Sequence, residues 1–349
     1  MEDERCKILI ADDNYVNRAI LREFLEDDYE ILESEDGISA QDILDKENIS
    51  LVLLDYNLPK KNGVEITEYM KSKDMLKDIP VLVISSIYTA DAVDKFFDIG
   101  CIDYISKPYN IKVVKHRVYN AIKIYEKQRE LSQELERQRK KRKQDSDLLV
   151  HMIGHIVEFR NEESGPHVMN VENITRRILF DIYSKTERYE LNEEKIEMMS
   201  LASALHDIGK IRIPEEILNK PGALTKEEFE IMMTHTSMGA NMVSKLPSVF
   251  NNSELTDYVK EICLYHHEKY DGNGYPKKLH GDEIPIGAQA VSIADVYDAL
   301  TSKRVYKDAY SHEKAIDMIL AGECGTFNPL IIDCFINDQD AIKEIKKSY

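Results

Sequence analysis

The chain has 349 residues, more than one hydrophobic core usually serves, so two domains are expected. Its 43% hydrophobic and 32% charged residues exclude a disordered protein, and no apolar run approaches the ~20 residues of a membrane span. The net charge of −18 repels nucleic acid. Five scattered cysteines (Cys6, Cys101, Cys263, Cys324 and Cys334) form no CxxC pair, and the N-terminus lacks a signal-peptide pattern. Free thiols in a reducing cytosol are the expectation.

The first 120 residues alternate short β-branched runs with helical patterns. KILIA (7–11), YEILES (29–34), LVLLD (51–55), VLVIS (81–85) and CIDYIS (101–106) read as strands, with NRAILREFL and GVEITEYMKS as helices between them. Compact apolar strands spaced by helices predict an α/β, doubly wound, parallel five-stranded sheet. A helix over 111–125, with Val114, Val118, Ile122 and Tyr125 on one face, runs into EKQRELSQELERQRKKRK (126–143). That segment holds eight basic and four acidic residues, with only Leu131 and Leu135 apolar, and reads as a solvated connecting helix or a short dimeric coiled coil. From 148 onward helical periods take over at 148–160, 166–183, 193–208, 226–245, 254–267, 287–302 and 312–321, predicting an all-α second domain joined by the long helix. The expected boundaries are 1–124, a linker at 125–147, and 148–349.

In open parallel sheets, ligands bind at the carboxyl ends of the strands. Here those ends carry Asp12 and Asp13, Asp55, Ser85 and Lys107. Three carboxylates at one edge repel one another unless a hard cation joins them, and an all-oxygen site favours magnesium. The cation and an ammonium would together neutralise a phosphoryl group attacked by a carboxylate. The set DD (12–13), D-x-N-L-P (55–59), Ser85 and Y-x-x-K-P (104–108) resembles the receiver domain of two-component response regulators over residues 5 to 124. The resemblance implies Asp55 as phosphoacceptor, magnesium on Asp12, Asp13, Asp55 and the backbone of Asn57, and a switch made of Ser85, Tyr104 and Lys107. It also implies a sensor histidine kinase as phosphodonor.

Most of the ten histidines lie beyond residue 150. His206-Asp207 sits in HDIGK, with Lys210 beyond it; His235, His266-His267 and Asp295 follow, and Glu163 and His167 precede them, Glu163 on the loop before Gly165-Pro166. Imidazoles and carboxylates from several helices suit a di- or trinuclear centre, in which neighbouring cations about 3.5–4 Å apart share a bridging carboxylate. Nitrogen and oxygen donors without thiolate suit iron or manganese, with zinc as an alternative. His151 and His155, although four apart, lack a supporting motif and read as ordinary helix residues, as do His116, His280 and His312.

Taken in order, E-x-x-x-H (163–167), H-D-x-G-K (206–210), His235, H-H-E-x-x-D-G-x-G-Y-P (266–276), A-D-V-Y-D-A-L (294–300) and R-x-Y-K (304–307) resemble the HD-GYP family over roughly 148 to 335. The resemblance implies a phosphodiesterase that opens cyclic di-GMP to the linear dinucleotide or onward to GMP. Its implied metal ligands are Glu163, His167, His206, Asp207, His235, His266, His267 and Asp295. Asp207 would bridge metals, Lys210 would steady a phosphate oxygen or the attacking hydroxide, and Arg304 and Lys307 would hold substrate phosphates. Asn170, where the family usually has Arg, and the long stretch 183–195 depart from the pattern. The expectation is thus a cytoplasmic response regulator, homodimeric through receiver and linker helix, without DNA binding or membrane insertion. A non-catalytic cyclic-dinucleotide sensor or interaction module is the alternative.

Overall fold

The structure, a computed structural model, describes residues 5–85, 97–160, 166–245, 253–303 and 308–347. The chain divides into two compact units, Met1–Lys140 and Lys141–Tyr349.

In the first unit β1 (Lys7–Ala11), β2 (Glu30–Ser34), β3 (Leu51–Asp55), β4 (Val81–Ser85) and β5 (Asp103–Ser106) form one sheet of order β2-β1-β3-β4-β5. Every neighbouring pair is parallel. Because side chains alternate across a strand, each apolar run serves both faces. Leu9, Val52, Leu54, Val81 and Val83 pack on one side with α2 (Gly37–Lys46) and α3 (Gly63–Ser72). Ile8, Ile10, Leu51, Leu53, Leu82 and Ile84 pack on the other with Leu21 and Leu25 of α1 (Tyr15–Leu25). Asn14 and Asp36 cap α1 and α2 through their side chains, and Asn62 with Glu65 forms a capping box on α3. The strand order reverses between β1 and β3, so the acids that end these two strands share the crevice where such sheets bind ligands.

Helix α4 (Ile111–Arg160) is continuous over 50 residues, running through the charged segment as expected and on into the helix expected over 148–160. Val114, Val118, Ala121 and Ile122 bury against the sheet, and Val150 and Val157 belong to the core of the second unit. That unit contains α5 (His167–Lys185), α6 (Glu193–Ser203), α7 (Glu215–Leu218), α8 (Lys226–Ser244), α9 (Ser253–Tyr265), α10 (Ile286–Thr301), α11 (His312–Leu320), α12 (Pro329–Asn337) and α13 (Gln339–Lys347). Ile174, Ile178, Ile196, Val259, Ile293 and Phe335 are among its fully buried residues. The periodicity predicts one helix over 193–208, but α6 stops at Ser203 and the chain tightens into i to i+3 hydrogen bonds before a 3₁₀ turn over Ile208–Arg212. No helix among the described residues is long and apolar enough to cross a membrane.

Candidate functional site

At the carboxyl edge of the sheet, Asp12, Asp13 and Asp55 each offer an oxygen within 4.8 Å of the others. Asp12 and Asp55 are buried and Asp13 is exposed. Lys107 donates to Asp12 Oδ2 at 2.9 Å and to Asp55. Burial pushes the Asp55 carboxyl up, against the pull of Lys107. The Asn57 backbone N–H donates to Asp55 Oδ1 at 3.1 Å, and Ser85 is buried at the end of β4. Asn17 and Arg18 hold Asp12 from α1, contacts that no motif announced. Tyr104 is half-buried on β5, its ring 5.4 Å from the Arg117 guanidinium.

In the helical unit, the turn after α6 carries His206 and Asp207 into the interior, both at most 5% exposed. Gly209 lets α8 approach this turn: a Cβ there would lie 1.9 Å from the carbonyl oxygen of His235. The approach brings His235 Nε2 to 3.2 Å from Asp207 Oδ1. His266 Nε2, at the end of α9, lies 3.7 Å from the same oxygen, while His206 Nε2 and Lys210 Nζ lie 3.2 and 2.5 Å from Oδ2. On the other side His167, opening α5, meets Asp295 of α10 at 3.7 Å. Two clusters result: Asp207, His235, His266 and His267 in one, and His167, His206 and Asp295 in the other, each with ligand atoms within 4.8 Å. Glu163, Arg304 and Lys307 lie outside the described residues.

Four of the five imidazoles are oriented alike. Nδ1 of His206 donates to the Ser203 carbonyl at 2.8 Å, that of His235 to Met232 at 2.7 Å, and that of His266 to Ile262 at 2.8 Å. His167 Nδ1 faces Asp298 Oδ2 at 2.7 Å. A proton held at Nδ1 leaves the Nε2 lone pair for a metal ion. His206 Nε2 and Asp207 Oδ1 are buried and, despite these close approaches, form no well-aligned hydrogen bond among the described residues, which fits a cation coordinated at these atoms. Burial alone would raise Asp207, yet Lys210 and His206 hold its carboxyl well below the usual range. Burial and neighbouring imidazoles push His266 and His267 well down, so both are neutral, as ligands must be. Burial opposes charging at His167 and His206 as well, but Asp298 and Asp207 respectively raise them to about 10 and about 9. A metal ion entering there displaces those protons. The donor set therefore fits a metal centre.

Residues 8–119 match the response regulator receiver domain and residues 166–327 the HD domain. The probable cyclic di-GMP phosphodiesterase of Vibrio cholerae is 34% identical, covering 100% of this chain and 81% of that protein. The chain belongs to the response regulators that join a receiver domain to an HD domain. The cyclic di-GMP phosphodiesterase response regulator RpfG of Xanthomonas campestris is 28% identical, covering 98% of this chain and 90% of that protein. A 3'3'-cGAMP-specific phosphodiesterase 2 of Vibrio cholerae is 36% identical over 59% of this chain and 37% of its own. The HD domain places the chain among metal-dependent hydrolases, and the chain is an enzyme.

The HD domain also positions groups, some of them within the motifs, that the sequence reading left without a role. Asp298, fully buried, accepts from His167 and Ser302 on one oxygen and from Asn170 (2.8 Å) and Lys346 (2.6 Å) on the other. Its signal was present: Asp295 and Asp298 are three apart on α10, hence on one face. Buried Glu268 accepts from the Lys277 and Leu279 backbone N–H groups and pins the loop after the paired histidines. The stretch 183–195 ties to the 3₁₀ turn at Gly281–Glu283 through Arg188 and Tyr189 on Asp282. His151 is held by Glu172 at 2.5 Å and His312 by Tyr297 at 2.7 Å, as ordinary side chains.

Proposed function

We propose that this response regulator hydrolyses cyclic di-GMP, to the linear dinucleotide and/or GMP, at a di- or trinuclear metal centre controlled by phosphorylation of Asp55. The observation that carries the reading is the Asp207 carboxylate, with one oxygen toward His235 and His266 and the other toward His206 and Lys210. A carboxylate so placed suits a bridge between two cations. We assign the metal ligands as His167, His206, Asp207, His235, His266, His267 and Asp295, with Glu163 as a further one, and iron or manganese as the metal. When bound, the metals would polarise the phosphodiester and lower the pKa of the attacking water. The chain's own part is to hold Nδ1 protons away from the centre, to keep Asp207 ionised, and to set the Lys210 ammonium against Asp207, where it also meets a phosphate oxygen. Arg304 and Lys307 hold substrate phosphates. The cyclic di-GMP relatives, matched along nearly the whole chain, support this substrate over the 3'3'-cGAMP one.

For the receiver we assign Asp55 as phosphoacceptor, magnesium on Asp12, Asp13, Asp55 and the Asn57 backbone, and Ser85, Tyr104 and Lys107 as the switch, fed by a sensor histidine kinase. The receiver spans 1–124, the linker 125–147 and the phosphodiesterase 148–349. A second copy of the chain is a further partner. On α4, Ile124, Leu131, Leu135, Leu149, Met152, Ile156 and Phe159 are all at least 49% exposed and fall on one heptad register. A cytoplasmic location completes the reading. The test is anaerobic turnover of cyclic di-GMP by iron- or manganese-loaded protein, with 3'3'-cGAMP as competitor and His206→Ala/Asp207→Ala as control. Turnover lost in the control supports the enzyme; binding without turnover favours a sensor. Turnover that is equal with and without a small phosphodonor removes the proposed control.

A further inference from the structure

Lys269 follows the paired histidines by two residues, and its side chain is locked. Gly325 makes room for the stem, since a Cβ there would come within 2.7 Å of Lys269 Cδ and 2.8 Å of Cε. The ammonium lies 4.8 Å from the centre of the Phe327 ring. Among the described residues its one hydrogen bond goes to Ser292 Oγ, at a long 3.3 Å. Ser292 stands three residues before Asp295 on α10, so the ammonium sits one helical turn from the metal cluster, on the same face. Asp295 acts on it electrostatically, but no carboxylate among the described residues forms an ion pair with it.

An ammonium has three donors, and a half-buried one with a single long hydrogen bond leaves donors unfilled and its desolvation only partly offset by the Phe327 ring and the Asp295 charge. An incoming anion removes that cost, and a phosphate oxygen suits a point charge of this kind. Lys269 also lines an open cleft of about 590 Å³ together with His267, Phe229, Met233, Tyr275 and Pro276. Phe229 meets Tyr275 edge to face at 6.1 Å, and the Tyr275 ring lies 4.8 Å from that of His267. Aromatic and thioether walls in a cleft that Lys269 itself borders fit a flat base attached to a phosphate.

We propose that Lys269 is a substrate-binding residue, which receives a phosphate oxygen of a nucleotide whose base enters the Phe229–Tyr275 cleft beside the metal centre. The assignment rests on the phosphodiesterase reading and adds a cation to Arg304 and Lys307.

The test compares the wild type with Lys269→Met, which keeps the packed stem, and Lys269→Arg, which keeps the charge. Two readouts serve: steady-state turnover of cyclic di-GMP by the metal-loaded enzyme, and calorimetric binding of GMP to the chelated protein. Losing a charge-assisted contact should raise KM and weaken GMP binding about tenfold or more in Lys269→Met, with metal content and Tm unchanged. Lys269→Arg should recover much of the GMP affinity. Unchanged KM and GMP affinity in Lys269→Met would overturn the proposal, as would a loss of metal or of Tm, which makes Lys269 structural. If the wild type turns over no cyclic dinucleotide while GMP binding still depends on Lys269, the activity reading fails and this site stands.

Discussion

Replacing Asp298 with Asn separates the metal centre's support from its ligands. The Asp298 carboxylate takes four hydrogen bonds, from His167, Ser302, Asn170 and Lys346, so its lone pairs are filled. Asn keeps the shape and still accepts at one oxygen, but it removes the charge that holds the His167 Nδ1 proton and leaves the stranded Lys346 ammonium, whose side chain is only 16% exposed, with Ser302 as partner and no carboxylate. Hydrogen bonds to charged groups contribute about 1.5–3 kcal/mol. Since about 1.4 kcal/mol is tenfold, metal affinity at His167 should fall roughly 10- to 100-fold, the range for residues that orient metal-bound histidine. The assay is competitive titration of the apo protein with manganese against a chelator of known affinity, alongside a thermal melt. Adding Lys346→Met removes the stranded ammonium, so the double variant should regain part of the lost Tm without regaining metal affinity. If Asp298→Asn binds manganese as tightly as the wild type, Asp298 does not orient His167.

At Gly209, the Ala variant drives a methyl into the His235 carbonyl and should cost at least about 1–3 kcal/mol, visible as a Tm several degrees lower; an unchanged melt would refute the close approach. His151 has its pKa raised by its hydrogen bond to Glu172, against partial burial. Its stabilising charge is therefore complete below the ordinary value of about 6.5 and lost as pH rises through the raised one. His151→Gln should flatten the Tm profile over that alkaline limb, and an identical slope in both proteins would count against the pair. In the receiver, Asp55→Asn should abolish labelling by acetyl phosphate. Asp12→Ala should weaken magnesium binding, followed through Tyr104 or Tyr109 fluorescence; full labelling of Asp55→Asn would move the phosphoacceptor elsewhere.

What the sequence made legible followed from periodicity. KILIA, LVLLD and VLVIS coincide with β1, β3 and β4 because a doubly covered strand needs an unbroken apolar run whose length is set by the sheet. The end of α6 was harder. Ala204 and Leu205 continue the apolar helical pattern, yet the chain turns there to bring His206 and Asp207 inward, a demand of the site that local propensity does not carry. Helices α12 and α13 lay beyond the last motif and were not anticipated, although Ile331, Cys334, Phe335 and Ile342 are fully buried. The motif histidines could be singled out because their spacing is unusual. Lys346 could not, since one lysine on a short amphipathic helix looks like any other until the fold sets it against Asp298.

Among the described residues, those assigned as ligands are strung along most of the second unit, from His167 on its second helix to Asp295 on α10. Metal bound there would work as a cross-link, joining segments far apart in the chain as disulfides do in secreted proteins, and removing loop freedom from the unfolded ensemble. Such a link could not close until the chain has been synthesised past Asp295, and the Lys346 contact to Asp298 comes later still in the chain. Metal loading would thereby wait on the synthesis of α10, and would couple α5, α8 and α10 across the length of the unit.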